Sequence, residues 1–333
     1  MATIHDVAKA AGVSNSTVSY VLSGKRSISA ETRHRVEDAI KQLGYRPHAG
    51  ARALASSRSS TLALVAPLRA DVDVNVIMQF VTGVVTRARD HEMDVLLLTQ
   101  DDPGGIERAA NSSLADALIM MDIEAEDPRI PTLVELRRPA VLIGLPADAR
   151  GLSVVDLDFE AAGRLAWQYL TGLGHRQIAL IGPTPAVLGR HTSYANRLLD
   201  GYRGAAERDD RPTAVEPAEA GHAGGLAAIR RVLDRMPEVS AVVVHNEAAL
   251  PGVLTGLRAA GHEIGTGISV LAICPADVAV QQAVPLTSID IPAIRMGKIA
   301  VDLAMARIDG SDDPEIRLLV PQVTERDSTR ALL

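Results

Sequence analysis

The sequence predicts a small all-α head followed by a larger α/β body of two lobes. Three observations carry that expectation: a split in charge, a run of capped short helices, and a later alternation of apolar runs with amphipathic stretches. Residues 1–60 hold nine Lys/Arg against four Asp/Glu, a formal excess of five positive charges. The 333-residue chain as a whole carries −7, so the remainder carries −12. A basic head on an acidic body is the electrostatic arrangement of a nucleic-acid reader with a separate second function.

The head reads element by element. Thr3 with Asp6 forms a capping pair that starts a helix from Ile4 to about Ala11. Gly12 supplies a turn. Ser14 caps a second helix, Asn15 to Leu22, ended by Gly24. Ser29 caps a third, Ala30 to Leu43, with Gly44 as its stop. Ile4, Val7, Ala8, Val13, Val18, Val21, Val36, Ile40 and Leu43 fall at helical spacing and are expected to share one core. Pro47 breaks the run, and an Ala-rich segment leads to the Ser-rich linker Ser56 to Ser60. The expected divisions are a head over 1–46, a hinge and linker over 47–60, and a body over 61–333.

In the body, short apolar runs recur. They are Thr61 to Ala66, Asp94 to Thr99, Ala117 to Met121, Ala140 to Gly144, Ile178 to Gly182, Ala241 to His245 and Ile268 to Ile273. Amphipathic helical stretches separate most of them, the signature of parallel sheets covered on both faces. The length exceeds what one such sheet needs, hence two lobes.

Other chemistry is poorly supported. A single cysteine, Cys274, excludes an intramolecular disulfide and speaks for a buried structural thiol in a reducing compartment. His91-Glu92 and His262-Glu263 do not continue as H-E-x-x-H, Gly172-x-Gly174 lacks a third glycine, and no nucleophile elbow or Walker loop is present. No catalytic residue, metal or cofactor is expected. The first ten residues lack the apolar core of a signal peptide, and no apolar run is long enough to span a bilayer. A cytoplasmic protein is expected.

The run from Thr3 to Leu22 has a helix, a tight glycine turn and a second helix opening on small polar residues. This is the helix-turn-helix layout that sets a recognition helix in the DNA major groove. Asn15, Ser16 and Tyr20 stand on the first turns of that helix, where side chains reach base edges. Asn can pair bidentately with adenine, and Ser can bond any base. Thr3, Ser14, Thr17 and Ser19 suit phosphate contacts or caps. The competing reading is a plain three-helix bundle.

These residues resemble the lactose-repressor (LacI/GalR) family, which opens I-x-D-V-A-x-x-A-G-V-S-x-x-T-V-S. Tyr20 stands where members often carry Arg. Tyr45 to Leu54 resembles the family's hinge helix, which folds on DNA, and the resemblance assigns Ala51 to that contact and Leu54 to a minor-groove wedge. Gly174-His175 to Gly182, Pro285 to Ile289, Met296-Gly297 to Ala300 and Val323 to Ser328 resemble later family segments. The resemblance therefore spans the chain. It implies a periplasmic-binding-protein-like body, a homodimer on a palindromic double-stranded DNA operator, and a small-molecule effector between the lobes. The alternative is a ligand-binding protein or enzyme with a vestigial head.

Such folds bind ligands at strand carboxyl ends. The resemblance implies Arg197, where members place an effector-contacting Arg, and Asn246, which matches their strand-end Asn, as effector contacts; Asp156, ending Ser153 to Val155, joins them, with Arg69, Asp71, Asp73, Asp122 and His245 at strand ends nearby. The competing roles are an ion pair for Arg197 and loop capping for Asn246 and Asp156. One departure matters: where members carry G-[YF]-D-D, this chain reads Ala272-Ile273-Cys274-Pro275. The hydroxyl-binding Asp is absent. Aromatics make up only 2% of the chain, so ring platforms are scarce and a sugar effector is in doubt.

Overall fold

The computed structural model describes residues 2–23, 26, 28–45, 59–99, 104–107, 114–136 and 138–332. The expected hinge, with Ala51 and Leu54, lies outside the described residues, as does Gly24.

The head holds α1 (Ile4–Ala11), α2 (Asn15–Ser23) and α3 (Ala30–Leu43). Thr3 and Asp6 complete a reciprocal capping box, and Gly12 closes α1 in the left-handed region at φ 64°. Ser29 caps α3 through the Thr32 N–H. Val7, Ala8, Ala11, Val18, Val36 and Ala39 form the core, and Tyr45 completes it. Leu43, expected inside, is 40% exposed. The reason is the turn at Gly44 (φ 57°), which folds the chain back so that the Tyr45 N–H reaches the Ile40 carbonyl at 3.0 Å. The Tyr45 ring then covers the core in place of Leu43.

The body contains β1 (Thr61–Val65), α4 (Val74–Asp90), β2 (Asp94–Leu98), β3 (Ala117–Met120), α5 (Ile130–Glu135), β4 (Ala140–Ile143) and β5 (Ser153–Leu157). It continues with α6 (Phe159–Gly172), β6 (Ile178–Gly182), α7 (Pro185–Gly189), α8 (Ser193–Arg208), β7 (Thr213–Pro217), α9 (His222–Arg235), β8 (Ala241–Val244) and α10 (Leu250–Ala259). The last elements are β9 (Ser269–Cys274), α11 (Ala276–Val280), β10 (Thr287–Asp290), α12 (Ala293–Ile308), β11 (Ile316–Leu319) and β12 (Val323–Thr324).

The strands form two sheets, ordered β11-β5-β4-β3-β1-β2 and β12-β10-β9-β8-β6-β7. Their pairings are parallel except for β10 with β12. The order runs outward from β1 and from β6, so each sheet has a switch point at its strand carboxyl ends, where a doubly wound fold opens a crevice. The chain passes between lobes after β5, after β10 and after β11, and the crevices face each other. Interior strands β3, β4, β6, β8 and β9 are buried along their whole length, as continuous apolar runs require. Among the described residues, no helix is long and apolar enough to cross a membrane.

Reciprocal glycines set the helix pairs. A Cβ on Gly163 of α6 would collide with the Leu198 carbonyl of α8, and one on Gly201 of α8 with the Glu160 carbonyl of α6. The two backbones touch there, which fixes the height of α8, and of Arg197 on it, above the end of β5.

Candidate functional site: a recognition helix and an interlobe cleft

On the head, the polar side chains of the turn divide into two groups. Thr3 donates its hydroxyl and backbone N–H to Asp6, each at 2.8 Å. These bonds hold the Asp6 carboxyl below the usual range. The Ser14 hydroxyl accepts from the Thr17 N–H at 3.1 Å and lies 2.9 Å from the Thr17 hydroxyl. Thr3 and Ser14 are therefore caps, the Thr17 hydroxyl is engaged by Ser14, and Thr17 and Ser19 are half-buried. Asn15, Ser16 and Tyr20 are exposed, and no side-chain hydrogen bond engages them among the described residues. The guanidinium of Arg26 lies 5.7 Å from the Tyr20 ring centre, so the cation is held beside the outward face of α2.

In the body, a cavity of about 130 Å³ lies between the lobes at the strand ends. Carboxylates enter it from the first lobe at Asp71, Asp73, Asp122 and Asp156, and from the second at Glu247. Arginines brace its rim. Arg190, which follows α7, reaches across to Asp71 at 2.7 Å and lies 3.8 Å from Asp122. Arg69 holds Asp122 at 2.9 Å. Arg197 donates to Asp156 at 2.8 Å and lies 3.4 Å from Asp158. Backbone contacts between lobes run alongside: the Ala125 N–H bonds the His191 carbonyl, and the Ser193 N–H bonds Ile123, both at 2.9 Å. Asp122 and His191 both sit at φ 54° in the left-handed region. Strained backbone of this kind persists only where surrounding contacts hold it.

The expected effector contacts occupy this region unequally. Asp156 lines the cavity and is nearly inaccessible; it lies within β5 rather than just beyond it. Burial pushes its carboxyl up to about 7, against the pull of Arg197 and of the Leu145 and Leu157 N–H groups. Arg197 is not on the cavity wall; it stands behind Asp156 as its counter-ion. Asn246 is on the wall, but its amide is spent on the Gly182, Ala218 and Ala249 backbones at 3.3, 2.9 and 3.1 Å. It pins the ends of β6 and β7 to the start of α10.

Sequence reasoning passed over Arg190, Glu247 and the aromatic wall. Glu247 directly follows Asn246, so the strand-end rule could have included it. Arg190 lies eight residues beyond Gly182 and carries no strand-end signal. The chain has two phenylalanines, and both, Phe80 and Phe159, line this cavity. Phe159, Tyr194 and His245 pack mutually at 5.5, 5.7 and 5.6 Å between ring centres. The scarcity of aromatics in the composition therefore does not hold at the site. His245 is 4% exposed, its Nδ1 has no partner, and burial lowers it to about 4, so it is neutral at neutral pH. Cys274 is buried in the second lobe's core, with its thiol pushed up by burial, and Trp167 is fully buried with its indole N–H on Asp209.

Comparison with known proteins agrees with both regions. Residues 3–48 match the model for bacterial regulatory proteins of the lacI family, and residues 167–329 match a periplasmic binding protein-like domain. The chain is 32% identical to the HTH-type transcriptional regulator CelR of Thermobifida fusca, over 96% of this chain and 95% of that protein. It is 31% identical to the ribose operon repressor of Escherichia coli strain K12, over 98% and 100%. Among solved structures, a CelR–cellobiose complex superposes with a TM-score of 0.69 at 28% identity, covering 98% of this chain and 100% of that one. A lac repressor dimer bound to operator and an anti-inducer superposes at 0.83 with 24% identity and 99% coverage of both, a likeness of fold.

Proposed function

The chain belongs to the lacI family of bacterial regulatory proteins and is a DNA-binding transcriptional regulator; from that premise we propose that it represses as a homodimer on a palindromic operator and answers to a small-molecule effector. Asn15, Ser16 and Tyr20 read base edges, while Ser14, Thr17, Ser19 and Thr3 position the helix on the backbone. Residues 47–60, with Ala51 and Leu54, form the hinge that meets the minor groove. The effector occupies the interlobe cavity, and the protein is a cytoplasmic regulator, not an enzyme.

The observation that carries this reading is the cavity itself. It lies on the boundary between two lobes braced by Arg190 and Arg197 against Asp71, Asp122 and Asp156. A ligand that fits only one setting of the lobes shifts their equilibrium, and symmetry passes the shift to the spacing of two hinges. Arg197 acts in this reading through Asp156, as a positioning residue. The test is a thermal-shift screen of metabolites, followed by operator titration by fluorescence anisotropy with each compound that raises Tm. A change of five-fold or more in operator affinity is the expected result. Compounds that bind in the cleft yet leave operator affinity unchanged would sink the coupling.

A further inference from the structure

Three of the five carboxylates on the cavity wall already have an arginine. Asp71 has Arg190 at 2.7 Å, Asp122 has Arg69 at 2.9 Å, and Asp156 has Arg197 at 2.8 Å. Asp73 and Glu247 have none among the described residues. Asp73, on the first lobe, gives one oxygen to the Asn75 N–H at 2.8 Å as the N-cap of α4. Glu247, on the second lobe just past β8, has no other residue hydrogen-bonded to its carboxyl among the described residues; its own backbone N–H is the one donor. Burial raises its carboxyl to about 7 against the pull of its own backbone N–H, and the charge of Asp73 adds to the rise. His245, two residues before Glu247 in the chain, is buried, with Nδ1 unpartnered on the same cavity. Phe80, Phe159 and Tyr194 supply the neighbouring wall.

We infer that the cavity takes a compact amine: one ammonium group seated between Asp73 and Glu247 with His245 Nδ1 as a further acceptor, and an apolar or aromatic body against Phe80, Phe159 and Tyr194. The inference rests on the reading of this cleft as the effector site and assigns that effector a chemical class. Both carboxylates are half-buried; withdrawing such groups from water without counter-charge is costly, and one cation between them relieves both. Aromatic faces attract the same cation. A polyol would present hydroxyls but leave both charges uncompensated. The size agrees: about 130 Å³ is close to the ~150 Å³ that accepts one benzene ring in an engineered cavity. Because its two carboxylates come from opposite lobes, the ammonium would also tie the lobes together.

The test is titration calorimetry on the full chain with three probes: 2-phenylethylamine, its neutral isostere 2-phenylethanol, and ribose. The amine should bind at least tenfold more tightly than the alcohol. Glu247→Gln should erase that preference, and Asp73→Asn, which keeps an N-capping side chain, should reduce it. Equal or tighter binding of the alcohol or of ribose overturns the amine inference and leaves the cleft reading standing. So does an amine preference that survives both substitutions. No binding of any of the three probes also overturns the amine inference, while the cleft reading is decided separately by the metabolite screen and operator titration.

Discussion

The head and the cleft use polar side chains in opposite ways. In the head, the capping bonds of Thr3, Ser14 and Ser29 span three residues of chain, and every one sits on an exposed surface. In the cleft, Arg197 finds Asp156 across 41 residues, Arg69 finds Asp122 across 53, and Arg190 finds Asp71 across 119. The head's polar atoms finish local structure and leave a free surface for a partner. The cleft's polar atoms are the structure: Arg190 and Arg197 tie the second lobe to acids of the first, and Arg69 fixes one of those acids in place. A substitution in the head should therefore act chiefly on recognition, and one in the cleft first on stability.

The largest effect is expected at the buried ion pair. Arg197→Ala leaves Asp156, whose side chain is 3% exposed, without its counter-ion. Removing one partner of a buried pair costs about 3–5 kcal/mol. The cost should depend on pH with a definite sign. Burial already lifts Asp156 to about 7, and Arg197 is the largest influence pulling it down, so the variant's carboxyl rises further. A carboxyl raised on folding withdraws stability as pH climbs from its unfolded value through its folded one. The destabilisation should therefore be larger at pH 8 than at pH 5, where the buried acid takes up a proton. Urea melts at the two pH values measure this; equal losses at both would mean that Asp156 is not the group left exposed to the cost.

How far the sequence shows each region follows from the same contrast. The caps at Thr3, Ser14, Ser29 and Gly44 are local chemistry, and all three head helices begin and end within a residue or so of where those signals put them. Leu43 was misplaced because its helical phase is right but the turn after it substitutes Tyr45. In the body, interior strands announce themselves as unbroken apolar runs. Edge strands do not: β7 alternates buried and half-buried residues, and β11 is mostly exposed. The strand-end rule found Asp71, Asp122, Asp156 and Asn246, since each follows or ends a readable strand. It could not find Arg190, which is delivered by α7 and a left-handed turn at His191, nor show that both phenylalanines converge on one cavity.

A smaller loss is expected where the scaffold beneath the cleft is packed rather than charged. Gly201→Ala places a methyl group into the Glu160 carbonyl at the α6–α8 crossing. Overpacking a tight contact costs about 1–3 kcal/mol. The shift also lifts α8 and with it Arg197, so the effector response should weaken while operator affinity without effector stays within two-fold. A denaturation midpoint matching wild type would show that the two helices can separate freely and that the glycines do not set the height of Arg197.

The smallest effects on stability belong to the head, and a pair of adjacent residues separates capping from reading. Ser14→Ala removes the acceptor that receives the Thr17 N–H, a loss of about 1 kcal/mol. Asn15→Ala removes an exposed side chain with no internal bond among the described residues, so its stability should change by less than about 0.5 kcal/mol. Their effects on DNA should run the other way. Without its cap, α2 frays at the end that meets the duplex, and Ser14→Ala should weaken binding to cognate and random DNA alike. Loss of a base contact is worth about 1–3 kcal/mol of discrimination at one position, and Asn15→Ala should lower cognate affinity toward the non-specific level without altering the latter. Parallel titrations on an operator and on a scrambled duplex at one salt concentration read both quantities. If Asn15→Ala weakens both duplexes equally, the residue holds phosphate, and base reading falls to Ser16 and Tyr20.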